Sequence, residues 1–268
     1  MFYKSSQITN IEEREKMKYK VLAYLNEKGG VGKTSLTYSI AWELSKKNKV
    51  LLIDMDGQRA NMSFFCKIKA NESTKTMYSI LMQGVDYNEA IINVKDNLDI
   101  IPANTEMASI PENAKVTTLK KVIQELKEKY DYIFYDLPPS PNRSHALALA
   151  TSDAVIVVNI PDVCGLEADK GMVESITEIK ESGLNPTLKV VGLLFNMNEN
   201  RTTLQKDVKE AAQKISAHMD STVFKSTIRQ SVKMKECVSS HIGVTDYCPK
   251  EEIAEDIRIH IKELKERL

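Results

Sequence analysis

The chain has 268 residues, 42% hydrophobic and 28% charged, which supplies enough apolar side chain for a full core and excludes a wholly disordered protein. Lys plus Arg and Asp plus Glu number 37 each, so the formal charge of zero excludes a globally basic nucleic-acid binder but not a local basic patch. The four cysteines, Cys66, Cys164, Cys237 and Cys248, form no C-x-x-C pair, which argues against a disulfide framework or zinc site and fits a reducing cytosol.

The first 18 residues are polar and lack the apolar stretch of a secretory signal, and no apolar run reaches the roughly 20 residues needed to cross a bilayer. They are expected to form an N-terminal extension outside the core, or a short helix capped by Asn10. From residue 19 the pattern alternates. Residues 19–26 read as a buried strand, and 33–47 as a helix with Leu36, Ile40 and Leu44 on one stripe. Residues 50–54 are a second strand, apolar throughout as parallel strands covered on both faces are. A short strand at 98–101, an amphipathic helix at 116–129 and apolar strands at 132–136, 154–160 and 188–195 follow. Further helices are expected near 144–150, 166–182, 203–216 and 250–268. Such alternation implies right-handed crossovers and an α/β fold: a doubly wound, mostly parallel sheet with helices on both faces, forming one domain over 19–268. Ligands of such sheets bind at the carboxyl edge of the strands, where polar clusters follow Asn26, Asp54, Asp136 and Phe195.

The strongest motif is Glu27-Lys28-Gly29-Gly30-Val31-Gly32-Lys33-Thr34-Ser35, between a strand and a helix. Its glycines let backbone N–H groups turn inward around phosphate oxygens, and the helix N-terminus adds partial positive charge. Lys33 is placed to reach the β- and γ-phosphates of a nucleotide, and the Thr34 hydroxyl to take a Mg²⁺ position. An ordinary phosphate loop has glycine where Glu27 stands, and no second lysine at position 28. This deviant loop, KGGVGKT, resembles that of the ParA/MinD family of P-loop ATPases. The resemblance implies ATP as ligand, with Gly29, Gly30, Val31, Gly32, Lys33, Thr34 and Ser35 around its phosphates. It also implies a dimer in which Lys28 reaches the partner's ATP. Glu27 replaces the family's usual Gln.

Asp54-Met55-Asp56-Gly57-Gln58 closes the second strand and reads either as a loop cap or as a carboxylate that orients water near a γ-phosphate. It resembles the family's D-x-D-P-Q-G switch. That match implies Asp56 as the catalytic aspartate and Asp54 as a brace, with Gly57 in place of Pro and Arg59 in place of Gly. The apolar strand ending at Asp136 has the pattern that holds Mg²⁺, often through water. Leu137-Pro138-Pro139-Ser140 after it resembles the second switch, D-x-P-P-S, and its prolines fix an extended exit. His145 carries no assignment. Asn196 reads as an adenine contact by the resemblance, or as a turn closing its strand. Thr227–Cys237 resembles I-P-R-N-V-R-L-x-E-A, with Arg229 at the proline position and Lys233 at the second arginine.

Between 201 and 235 eight basic residues face three acidic ones, a local excess of five positive charges. This is either a solvated face or a surface for DNA phosphates, and ParA-type proteins bind nonspecific DNA through this part of the chain, which makes Arg201, Arg229 and Lys233 the candidates. The last helix carries Ile253, Ile257, Ile261, Leu264 and Leu268 on one stripe, but its polar face has both signs and its stripe no aromatic anchor, unlike a membrane-surface helix. With eighteen residues ahead of the first strand, no separate operator-binding domain is expected. The resemblance thus implies a cytoplasmic, nucleoid-associated partition ATPase with slow intrinsic turnover; the alternatives are a MinD-like membrane-associated positioning ATPase and, given the altered DMDGQRAN switch, a nucleotide-bound scaffold with little turnover. Its implied cofactors are ATP and Mg²⁺, and its implied partners a second copy of itself, nonspecific duplex DNA and a ParB-like centromere-binding protein, with no membrane.

Overall fold

A computed structural model describes residues 20–58, 61–71, 73–139, 141–162, 170–199 and 206–268. The expectations for residues 1–18, Arg59, Ser140 and Arg201 lie outside these residues. Eight strands form one sheet: β1 (Val21–Leu25), β2 (Val50–Asp54), β3 (Ile92–Lys95), β4 (Leu98–Ile101), β5 (Tyr132–Asp136), β6 (Ala154–Asn159), β7 (Lys189–Asn198) and β8 (Val223–Arg229). Their order is β3-β4-β2-β5-β1-β6-β7-β8, parallel except for the antiparallel β3–β4 pair at one edge. The mostly parallel, doubly wound α/β sheet expected from the alternation is therefore what the chain forms.

The helices are α1 (Lys33–Leu44), α2 (Asn61–Phe65), α3 (Met77–Gln83), α4 (Tyr87–Ala90), α5 (Val116–Lys127), α6 (Arg143–Thr151), α7 (Lys170–Glu181), α8 (Lys206–His218), α9 (Val232–Ser239), α10 (Val244–Tyr247) and α11 (Glu252–Arg267). A 3₁₀ turn covers Thr105–Ser109. Successive residues of a strand point to opposite faces, so each central strand feeds two cores. Val21, Ala23 and Leu25 of β1 pack on one side with Leu119 and Ile123 of α5, Leu147 of α6 and Met172 of α7. Leu22 and Tyr24 pack on the other with Leu36 and Ile40 of α1 and with Ile253, Ile257, Ile261 and Leu264 of α11. The apolar stripe of the last helix is thus spent inside the protein.

Three strands exceed or escape the sequence pattern, the short antiparallel edge strand β3 among them. β7 runs three residues past Phe195, because Asn198 pairs with Arg229 of β8. β8 alternates Phe224, Ser226 and Ile228 inward, and its central inward residue is polar, which breaks the apolar run that marks the other strands. Asp54 and Asp136 end β2 and β5 in direct register, and β1 passes on the far side of β5 into the glycine loop, so the three motifs meet at one sheet edge.

Candidate nucleotide site

The phosphate loop leaves β1 through Asn26, whose side chain is the first anchor. Its amide Nδ2 donates to the Val158 carbonyl at 2.7 Å, and its Oδ1 accepts the Lys28 N–H at 2.6 Å, an Asx turn that bends the chain over the sheet. Gly30 and Gly32 both take positive φ, 82° and 85°. Gly32 has a second reason to be glycine: a Cβ there would lie 2.5 Å from Asn196 Nδ2. Gly32 is the N-cap of α1, and the first turn of that helix, Lys33-Thr34-Ser35, points its free N–H groups into a cleft of about 680 Å³. Gly29, Gly30, Gly32, Asp56, Gln58, Phe65, Pro139, Asn196, Met197, Arg229 and Met234 also line the cleft.

Lys33 is buried, and burial pulls its pKa down while Asp136 and Asp56 act to raise it. Its Nζ donates to the Lys28 carbonyl at 3.3 Å, holding the loop in a closed turn. Lys28 itself is exposed, and no partner for its ammonium is found among the described residues. Glu27 does not face the cleft. Its carboxylate accepts from Ser175 Oγ of α7 at 3.0 Å and rests against Gly171, so the acid in place of the usual Gln ties the loop to α7.

Three carboxylates gather at the ends of β2 and β5, and two of them, Asp56 and Asp136, act on Lys33. Asp54 is fully buried and engaged: Oδ1 accepts the Asp56 N–H at 3.0 Å, and Oδ2 accepts the Ser63 N–H at 3.0 Å and the Ser63 hydroxyl at 2.7 Å. Asp56 is buried at the cleft wall, with Oδ1 accepting the Gln58 N–H at 3.0 Å. Asp136 is different. Both its oxygens are buried with no hydrogen-bond partner. Burial and the facing Asp54 push its carboxyl well above the usual carboxylate range; the Thr34 hydroxyl beside it works in the opposite direction without a formed hydrogen bond. A buried anion without a partner is costly, and a divalent cation is the group that satisfies it. No group of three or more His, Cys, Asp and Glu side chains is arranged to hold a metal among the described residues. One carboxylate and one hydroxyl, with the remaining positions left to water and phosphate, is the donor set that Mg²⁺ uses. Asp136 and Thr34 therefore fit the ion.

Asn196 lies within β7 and lines the cleft, where its Nδ2 donates to the Val31 carbonyl at 2.8 Å. It braces the phosphate loop as well as facing the nucleotide space. Arg229 also lines the cleft, but Asp256 of α11 holds it: Asp256 accepts from the Arg229 backbone N–H at 3.0 Å, from Nε at 2.6 Å and from Nη2 at 2.8 Å, and Glu252 pairs with Nη1. The Lys233 side chain is 41% exposed and pairs with Glu236 at 2.8 Å. Asn26, Ser63 and the Glu27–Ser175 tether had no motif to announce them. Of these, only the asparagine at a strand end carried a local signal, that of an Asx turn.

A glycine loop capping a helix, a buried lysine and an unsatisfied aspartate on the adjoining strand end define a P-loop nucleotide-binding protein. The family model described as an AAA domain matches residues 19–190. The sporulation initiation inhibitor protein Soj of Bacillus subtilis is 31% identical over 245 residues, 88% of this chain and 94% of its own. The chromosome-partitioning ATPase Soj of Treponema pallidum is 30% identical over 237 residues, 85% of this chain and 90% of its own. Among solved structures, the septum site-determining protein MinD of Pyrococcus horikoshii, complexed with Mg-ADP, matches with a TM-score of 0.70 at 23% identity, covering 92% of this chain and 95% of that one. The chain belongs to the ParA/MinD family of P-loop ATPases.

Proposed function

We propose that this chain is a ParA-type partition ATPase, which segregates plasmid or chromosomal DNA through an ATP-bound dimer. The observation that carries the reading is Lys28. It is exposed and has no partner among the described residues, five positions from a lysine that the fold buries. Two lysines in one phosphate loop repel unless an anion lies between them, and the outward one is free to meet the ATP of a second copy. The partition role comes from the Soj relatives.

In this mechanism the N–H groups of residues 29–35 cradle the ATP phosphates, and Lys33 spreads charge away from the β- and γ-phosphates. Mg²⁺ held by Thr34 and Asp136 would neutralise phosphate charge. Asp56 accepts a hydrogen bond from the attacking water and sets its line of approach to the γ-phosphate. Lys28 completes the partner's site, so a full charge complement exists only in the dimer. Joining two chains doubles the basic surface of the 201–235 segment, which then holds duplex DNA through phosphates without reading sequence. Arg201 and Lys233 are the proposed contacts; Arg229 joins them only by leaving Asp256 and Glu252. A ParB-like partner bound to a centromere speeds hydrolysis, and the dimer and its nucleoid contacts are lost together. Domain 19–268 acts as one unit in the cytoplasm. The buried stripe of α11 supports DNA over membrane as the matrix.

The test is fluorescence anisotropy of a random-sequence duplex titrated with protein plus ATP, protein plus ADP, and Lys28→Ala plus ATP, at two salt concentrations. Binding with ATP alone, lost in the variant and weakened by salt, is expected. Equal binding in all three states would overturn the dimer-gated reading, and no binding despite intact ATP affinity would remove DNA as the matrix.

A further inference from the structure

Gly57, the residue after Asp56, is buried against the 3₁₀ turn that follows β4. A Cβ on Gly57 would lie 2.2 Å from the Ala108 backbone nitrogen, 2.6 Å from the Asn104 carbonyl oxygen and 2.8 Å from the Met107 carbonyl carbon. All three are backbone atoms, and Met107 is anchored in the core with no exposed surface, so no side chain can swing away to make room. The same strand exit meets the switch a second time. Ser63 Oγ, which donates to Asp54, accepts the Ala103 N–H at 3.4 Å. The segment that carries Asp56 thus rests on residues 103–108 at two points, and none of 103–108 lines the nucleotide cleft. Where the D-x-D-P-Q pattern has a proline, this chain has the one residue without a Cβ, and the turn occupies the space that a proline ring would need.

We propose that the turn Thr105–Ser109 is the seat of the catalytic switch, and that Gly57 is a positioning residue that fixes the Asp56 carboxylate over the γ-phosphate by letting backbone pack on backbone. The proposal rests on the reading of Asp56 as the group that orients water. Any side chain at 57 must lift the switch off the turn or push the turn from the core. A displacement on the order of an ångström at a water-orienting group costs about 10- to 100-fold in rate. Nucleotide affinity is set by residues 29–35 and stays within about twofold, since binding common to ground and transition states is untouched.

The experiment compares wild type, Gly57→Ala, Gly57→Pro and Asp56→Ala in single-turnover ATP hydrolysis and in titration with a fluorescent ATP analogue, with circular dichroism melts to confirm folding. Alongside, amide hydrogen exchange over 103–108 is measured in the wild type with ATP and with ADP. Expected are slow hydrolysis with wild-type nucleotide affinity in both Gly57 variants, and different exchange at 103–108 in the two nucleotide states. Wild-type hydrolysis by Gly57→Ala while Asp56→Ala is inactive would overturn the seat. Unimpaired hydrolysis by Asp56→Ala would instead overturn the reading of Asp56 beneath it. If the Gly57 variants fail to fold, the exchange measurement decides: identical protection at 103–108 with ATP and ADP rejects the proposal.

Discussion

Asp54 and Asp136 face each other in register at the ends of β2 and β5, yet the fold satisfies only one of them. The Asp54 carboxylate accepts three hydrogen bonds from Asp56 and Ser63, while the Asp136 carboxylate accepts none. The free protein therefore carries a buried carboxyl whose ionised form is disfavoured, a cost relative to the unfolded chain that a bound divalent cation would relieve. Asp136→Asn removes the ionisable group at constant shape. The variant is expected to be more stable than wild type without ligand, by about 1–3 kcal/mol, and to lose the stabilisation that Mg-ATP gives the wild type. Thermal melts with and without Mg-ATP check both halves; a lower melting point without ligand, or a full ligand-induced shift, would contradict the account.

Lys28 and Lys33 share a loop but differ in burial, the first exposed and the second buried. Lys28→Ala should leave the affinity of one chain for ATP within about threefold, because Lys33 and the loop amides remain, and should abolish ATP-dependent self-association. Sedimentation velocity with a slowly hydrolysed ATP analogue distinguishes the two. A variant that still dimerises would assign Lys28 to its own nucleotide.

Arg229 separates structure from DNA contact. Its clamp on Asp256 and Glu252 joins β8, a wall of the cleft, to α11. With the Arg229 side chain 32% exposed, solvent screening limits the pair, and Arg229→Ala is expected to cost about 1 kcal/mol of stability. The slope of log affinity for DNA against log salt should be unchanged by that substitution and should fall by about one in Lys233→Ala. Equal losses of salt slope in both variants would place Arg229 on the DNA after all.

What the sequence disclosed and what it concealed divide along contact range. Lys33, Thr34, Asp54 and Asp136 were legible because each sits beside its own strand, in a motif that local geometry completes. The roles of Ser63, Gly57 and Arg229 were hidden. Ser63 meets Asp54 nine residues away, and Arg229 meets carboxylates 23 and 27 residues away. Gly57 presses on a turn that starts some fifty positions later. β8 was missed for the same reason: its inward Ser226 is satisfied by α11, where His260 Nδ1 lies 3.2 Å from its hydroxyl and Glu263 accepts its N–H at 2.7 Å. The antiparallel β3 is four residues long and half-buried, too short for its alternation to stand out.

That same His260 gives the fold a defined acid sensitivity. It is fully buried under the phosphate-loop strand. Nε2 meets the Tyr24 hydroxyl at 2.9 Å, Nδ1 meets Ser226 Oγ at 3.2 Å, and the Phe224 ring packs edge-on. Burial pushes its pKa down to about 3; Glu263 opposes that shift and Arg267 reinforces it. In the unfolded chain an imidazole titrates at about 6.5. Between these values the unfolded state takes a proton that the native state refuses. The stability tied to the neutral ring is complete above about pH 6.5 and is lost as pH falls toward 3, with a slope of up to about 1.4 kcal/mol per pH unit. His260→Gln keeps a donor and an acceptor between Tyr24 and Ser226 but cannot titrate. Urea melts at pH 7 and pH 5 should show the wild type losing more stability than His260→Gln over that interval. Equal losses would mean that the ring is already protonated in the native state, and that the Tyr24–His260–Ser226 chain does not hold it neutral.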